Sequence, residues 1–276
     1  LLVFGGHDSN HEFLNSLERY DPSTNEWGEE AVAPMPSARK YVGMEVLDGK
    51  LYAVGGVAEI GGADSNLVER YDLATKAWEE VAPMASARCD YGVAVLGGKL
   101  YAVGGRNDDD GHLSSVERYD PALDAWEAVA PTAVARNHPG VPVLDGNLYA
   151  VGGYDGDTGN ASSSVERYDL ATKSWEAVAP MGTRHEGHGM AVLDGKLYAV
   201  GGSDNDGTLS SVERYDPEMN AWEAVAPMAE GRVAHAVAVL DGKLCAVGGY
   251  NDGILSSVER YDPVTNAWEA AAPFTT

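Results

Sequence analysis

The sequence predicts an all-β fold built from six copies of one four-stranded antiparallel unit. Three recurrences carry that expectation. A diglycine appears six times, at Gly5-Gly6, Gly55-Gly56, Gly104-Gly105, Gly152-Gly153, Gly201-Gly202 and Gly248-Gly249. Glu-Arg-Tyr-Asp also appears six times, with its tyrosine at 20, 71, 119, 168, 215 and 261. A tryptophan follows each tyrosine: Trp27, Trp78, Trp126, Trp175, Trp222 and Trp268. The period is 46 to 51 residues, in the range that marks repeat architectures. No linker interrupts it, so residues 1–276 read as a single domain of six repeats.

Each repeat holds four strand-length segments. In the third they fall at 91–96, 99–103, 115–119 and 125–130. All are rich in Val and aromatics and bounded by Gly, Pro or Asp. Asp-Gly or Gly-Gly joins the first two segments, a tight-hairpin signal. Pro and Gly recur too often for a long amphipathic helix. Closing the units into a ring removes exposed sheet ends, which predicts a six-bladed β-propeller. The diglycine suits a crowded turn where a Cβ does not fit. The Tyr and Trp suit flat wedges between stacked sheets.

Composition narrows the function. The formal net charge is −24, with 19 Lys+Arg. Repulsion from phosphates argues against nucleic acid or an anionic membrane as partner. The acidic surface also serves solubility. Cys89 and Cys245 are too few for a disulfide framework and fit a reducing, cytoplasmic setting. No apolar run reaches the ~18–20 residues of a membrane span.

The diglycine, Glu-Arg-Tyr-Asp and tryptophan together resemble the kelch repeat. Phrases such as Leu-Ser-Ser-Val-Glu-Arg-Tyr-Asp-Pro at 209–217 and Ala-Trp-Glu-Ala-Val-Ala-Pro-Met at 221–228 are similar to the propellers of BTB-kelch ubiquitin-ligase adaptors. The first-strand pattern appears only five times, at 41–47, 91–96, 140–144, 189–193 and 236–240. The first blade is therefore expected to lack its inner strand, giving 23 strands rather than 24, with the closing strand in chain outside this sequence.

In a four-stranded meander the 1–2 and 3–4 turns emerge at one end. The 2–3 loops and the links between repeats emerge at the other. The first set is uniform, mostly Leu-Asp-Gly-Lys, and reads as folding chemistry. The second varies. From diglycine to the Glu of Glu-Arg-Tyr-Asp there are 11, 12, 11, 12, 10 and 9 residues. Dissimilar loops on a rigid frame are where recognition sits. The resemblance implies that partner peptides touch the residue after the diglycine and those one and two after the link arginine. Here these are His7, Val57, Arg106, Tyr154, Ser203 and Tyr250, and Tyr41, Asp90, Asn137 and His138. In the fourth link the arginine, Arg184, sits one place early, so His185 aligns with the other arginines. Tyr41, Tyr154 and Tyr250 are expected as aromatic anchors, and Arg106 as the partner of a ligand carboxylate. The many rim carboxylates predict a basic or mixed-charge protein or peptide partner for a monomeric domain.

Other constellations have structural explanations. Arg39, Arg88, Arg136 and Arg232 recur at one position and are expected to bridge blades through carbonyls. Asp108, Asp110, Gly111 and Glu117 partly match a calcium-loop spacing, but Arg106 stands at its first position. Asx-turns are the expected use of these acidic loops. The seven histidines form no metal motif by spacing, although a ring could gather several. Cys245 replaces the Tyr of Leu-Tyr-Ala-Val-Gly-Gly and reads as a small core residue. Cys89, beside Arg88, reads as an ordinary thiol, with a reactive thiolate as the alternative. No catalytic motif, cofactor or metal site is predicted. The expected function is substrate recognition in a cullin-RING ligase adaptor. An actin-binding or signalling scaffold is the alternative, and a propeller enzyme a third class.

Overall fold

Local pattern becomes local structure as expected. The computed structural model describes residues 2–4, 17–21, 26–29, 33–57 and 62–273, the first three segments as backbone strands alone. Repeat 1 shows Leu2–Phe4, Leu17–Asp21 and Glu26–Glu29. Repeats 2 to 6 each form a four-stranded antiparallel sheet whose strands lie side by side in sequence order. In repeat 3 they are Gly92–Leu96, Lys99–Val103, Val116–Asp120 and Ala125–Val129. The Asp-Gly hairpins hold both central residues at positive φ, as at Asp48 (51°) and Gly49 (72°). Turns of this kind twist in the same sense as the strands they join. Among the described residues no helix is long and apolar enough to cross a membrane.

Repeat 4 departs from expectation. Its first strand, expected over 140–144, shrinks to Val143–Leu144 plus an isolated bridge between Gly140 and Val151. Pro142 lies between them, and proline has no N–H to give the ladder.

Contacts divide the chain into two compact units, Leu1–Ala135 and Arg136–Thr276. In the first, Leu47, Tyr52 and Val54 of repeat 2 pack on Leu100, Ala102 and Tyr119 of repeat 3. In the second, Leu144, Tyr149 and Val151 of repeat 4 meet Leu197, Ala199 and Tyr215 of repeat 5. Repeat 5 in turn meets Leu244, Ala246 and Tyr261 of repeat 6. In repeats 3 to 6 the second strand is covered on both faces, so its four residues before the diglycine are buried in succession rather than alternately.

Trp78, Trp126, Trp222 and Trp268 do wedge sheets together. Trp126 lies on Tyr119 of its own sheet, ring centroids 5.3 Å apart, and its Nε1–H donates to Ala82 O of the preceding repeat at 2.9 Å. Trp222 and Trp268 repeat the bond on Ala179 O and Ala226 O. The diglycine works as expected too. Gly152 and Gly153 have φ of 57° and 90°. Gly153 N–H donates to His185 O of the following link at 2.8 Å. A Cβ on Gly152 would stand 2.4 Å from that same oxygen.

Candidate functional site

The variable end of each sheet is positioned by a buried clamp. Arg39 donates to Gly55 O and Glu69 Oε2, both at 2.6 Å. Arg88 does the same to Gly104 O (2.8 Å) and Glu117 Oε1 (2.7 Å). Arg136 reaches Gly152 O and Glu166, and Arg232 reaches Gly248 O and Glu259. All four guanidinium groups are buried. The backbone of the same residue belongs to the repeat before: Arg88 N–H donates to Ser65 O, and Arg88 O accepts from Gly56 N. The expected bridging role is therefore present at Arg88 and Arg232, with the side chain in one sheet and the main chain on its neighbour. In repeats 2 to 6 the Glu of Glu-Arg-Tyr-Asp is the clamp's anion, and in repeats 3, 5 and 6 it also accepts from link amides, as Glu117 does from Ala85 and Ser86. His185 fills the same role in the fourth described link, against Gly201 O and Glu213.

The clamp residue delivers its successor to a β-bridge. Lys40 pairs with Val57, Cys89 with Arg106, Asn137 with Tyr154, Glu186 with Ser203, and Val233 with Tyr250. Each post-diglycine residue takes a second partner from its own 2–3 loop: Asp64, His112, Ala161, Thr208 and Ile254 respectively. Segments read from sequence as loops are thus short ribbons, Arg106–Asn107 with Gly111–His112 being one. Their pairing is hidden in the sequence because it needs residues 17 positions apart to meet. Link and 2–3 loop share one end of every sheet in repeats 2 to 6.

The second residue after each clamp has left-handed backbone: Tyr41 (56°), Asp90 (54°), His138 (50°), Gly187 (58°) and Ala234 (54°). A non-glycine residue there costs on the order of 1–3 kcal/mol and persists only where its surroundings enforce it.

The residues expected to bind a partner differ in exposure. Tyr41 is 47% exposed, with the Lys40 ammonium 5.0 Å from its ring centroid, and Tyr250 is 52% exposed beside Ile254 at 48%. Nothing in the sequence marked Ile254. Tyr154, Asn137, His138 and Ser203 are half-buried. Ser203 Oγ donates to Glu186 at 3.4 Å. Asp90 is buried, and Arg106 Nε donates to it at 3.0 Å. Arg106, expected to hold a ligand carboxylate, therefore already has one within the chain. His7 lies outside the described residues, as do 58–61 of the second 2–3 loop.

The acidic loops form Asx-turns. Asp204 Oδ1 accepts from Asp206 N and Gly207 N, and Asp155 Oδ1 from Asp157 N and Thr158 N. Asn107 Oδ1 accepts from Asp110 N. Glu117, which would complete the cation loop, is committed to Arg88. No group of three or more His, Cys, Asp or Glu gathers to hold a metal among the described residues. Cys89 is fully buried, and burial, with Asp64 and Asp90 beside it, pushes its thiol far above the ordinary range. The alternative of a reactive thiolate is overturned: neighbouring carboxylates outweigh Arg106.

Comparison with known proteins agrees with this geometry. The Attractin/LZTR1 β-propeller family model matches residues 1–258. Kelch-like protein 40 of Mus musculus is 36% identical over 78 residues, covering 28% of this chain and 12% of that protein. Kelch-like protein 33 of Homo sapiens is 40% identical over 80 residues, 28% of this chain and 14% of that protein. Kelch-like protein 7 of Gallus gallus is 42% identical over 60 residues, 22% and 10%. The matched stretch is thus a small part of each relative's length. The solved structure of YjhT superposes with a TM-score of 0.80 at 15% identity, covering 94% of this chain and 91% of that one, a likeness of fold alone. The chain belongs to the Attractin/LZTR1 β-propeller family and is a kelch-type propeller.

Proposed function

We propose that the chain is a protein-interaction module that captures a short peptide at the variable-loop end of its repeats, as the substrate-recognition part of a cullin-RING ubiquitin-ligase adaptor. On this reading residues 1–276 are one six-bladed, cytoplasmic, monomeric domain whose first blade shows three strands here. The peptide docks in the central pocket of that face and the chain performs no catalysis. One observation carries the reading. In repeats 2 to 6 a buried clamp holds a β-bridge between two dissimilar residues at one end of the sheet, a rigid frame with variable tips. The relatives named Kelch-like point the same way.

Tyr41 and Tyr250 are the proposed aromatic anchors, with Tyr154 and His138 completing the contact. The Asx-turn carboxylates favour a peptide of basic or mixed charge. Asp90 orients Arg106 rather than touching ligand. The test is affinity enrichment of a peptide library on the purified chain. Tyr41→Ala and Tyr250→Ala should each weaken enriched peptides about tenfold or more, as anchor truncations do. Full retention of every enriched peptide by the double variant would reject the site.

A further inference from the structure

We propose that the link into repeat 5 is closed by a proton-dependent clamp at His185, which seats Glu186 against Ser203 more firmly when the imidazole is charged. The inference concerns the link itself and does not depend on what docks there.

His185 is fully buried and has acceptors at both ring nitrogens. Nδ1 lies 2.7 Å from Gly201 O, and Nε2 lies 3.3 Å from Glu213 Oε1. A carbonyl oxygen only accepts, so Nδ1 carries a hydrogen. Glu213 is ionised. Burial pushes its carboxyl up, but the His185 hydrogen bond and the amides of Gly182 and Thr183 hold it below the usual range. The carboxylate also only accepts, so the second bond needs a hydrogen on Nε2. Both bonds together require imidazolium. In the neutral ring that keeps the Gly201 bond, the Nε2 lone pair faces a carboxylate.

The other four clamps avoid this condition, because a guanidinium stays charged. They also reach further. Arg88 and Arg232 each donate to a serine on the strand side of the clamp, at Ser115 Oγ and Ser257 Oγ. In repeat 5 the equivalent Ser211 Oγ is buried without a partner, because imidazole is too short. His185 thus replaces a permanent clamp with a conditional one, and histidine is the side chain that ordinarily changes charge between pH 5 and 8.

The surrounding charges are few. On the link itself are His188, its ring 5.7 Å from that of His185, half-buried Glu186 and exposed Arg184. From the third strand comes Glu213. From the next repeat come His235, which acts on His188, and Arg232, which acts on His235. Glu213 is the one anion in direct contact. His188, uncharged in its buried site, adds no opposing cation. His185 O also accepts from Gly153 N, and Glu186 pairs with Ser203 at 2.9 Å in both directions. The strength of the clamp is therefore passed to the ribbon that follows it.

The test is an NMR titration of the full chain from pH 5 to 8, following the His185 ring and the amides of Glu186, Gly187 and Ser203. The amides should shift with the same midpoint as the ring. His185→Arg, which copies the other links, should abolish that shift, and Glu213→Gln should lower the ring's midpoint. Amides that titrate unchanged in His185→Arg would overturn the proposal. So would a His185 ring that stays neutral throughout, or a midpoint indifferent to Glu213→Gln.

Discussion

Arg88 Nη2 and Glu117 Oε1 meet at 2.7 Å with side-chain exposures of 0% and 4%, so the ion pair joining repeat 2 to repeat 3 is closed to water. Removing one partner strands the other charge. Arg88→Ala is expected to cost about 3–5 kcal/mol in denaturant unfolding. Arg118→Ala, which breaks the exposed Arg118–Glu127 pair, should cost under ~1 kcal/mol. Equal losses would mean that the buried clamp carries no special load.

Gly152 and Gly49 separate backbone strain from crowding. Both have positive φ, at 57° and 72°. A Cβ on Gly49 meets nothing within 4 Å, whereas one on Gly152 meets His185 O at 2.4 Å. Gly49→Ala should cost about 1 kcal/mol from conformation alone. Gly152→Ala adds a backbone collision and should cost more than ~3 kcal/mol or prevent folding, read as a melting-temperature difference.

Cys245 leaves Arg260 without the company its counterparts have. Arg70 donates to Glu79 and reaches Tyr52 Oη at 3.5 Å. Cys245 replaces that tyrosine in repeat 6. Arg260 Nε is buried without a partner, and Glu269 turns to Lys243 at 3.4 Å. Cys245→Tyr is expected to return Arg260 to Glu269 and raise stability by about 0.5–2 kcal/mol. A lower melting temperature would show that the site has no room for the ring.

Glu45 stands where repeats 3, 5 and 6 carry Ala94, Ala191 and Ala238, each opposite the second-strand Tyr or Cys. Burial pushes its carboxyl up to about 7, from an ordinary value of 4.5. A raised folded value favours the native state fully below pH 4.5, and this is lost as pH rises through 7. Glu45→Ala should therefore stabilise the chain more at pH 8 than at pH 4, by up to ~3 kcal/mol. A gain independent of pH in thermal melts would refute a titrating carboxyl in this half-buried position.

His188 and His235 have the opposite sign. Both are buried, and neither ring nitrogen of either has a partner. Burial pulls His235 down to about 3 and His188 well below the ordinary 6.5. The unfolded chain takes up protons below 6.5 that the folded chain refuses, so stability falls as pH drops through that range. The slope approaches ~1.4 kcal/mol per pH unit for each histidine. Tyr91 fills the same position in repeat 3 and donates from its hydroxyl to Val54 O. His235→Tyr should therefore lessen the loss between pH 6 and pH 5 by about 1 kcal/mol. An unchanged acid slope would place the titration elsewhere.

The strands, their hairpins, the wedge role of tryptophan and the need for glycine at Gly152 were legible in sequence. Each rests on chemistry within a few residues, repeated often enough to be read by internal comparison. The bridging role of the link arginines was legible for the same reason, and so was the alignment of His185 with them, but not the clamp His185 makes. What only the tertiary structure decided is who meets across long separations and who loses water. Asp90 lies under Arg106, Ile254 stands beside Tyr250, Tyr41 takes a left-handed backbone, and Cys89, His188 and His235 are shut in among neighbours. Pairing between residues seventeen positions apart and the desolvation of a side chain depend on what the folded neighbours present, and no local pattern records that.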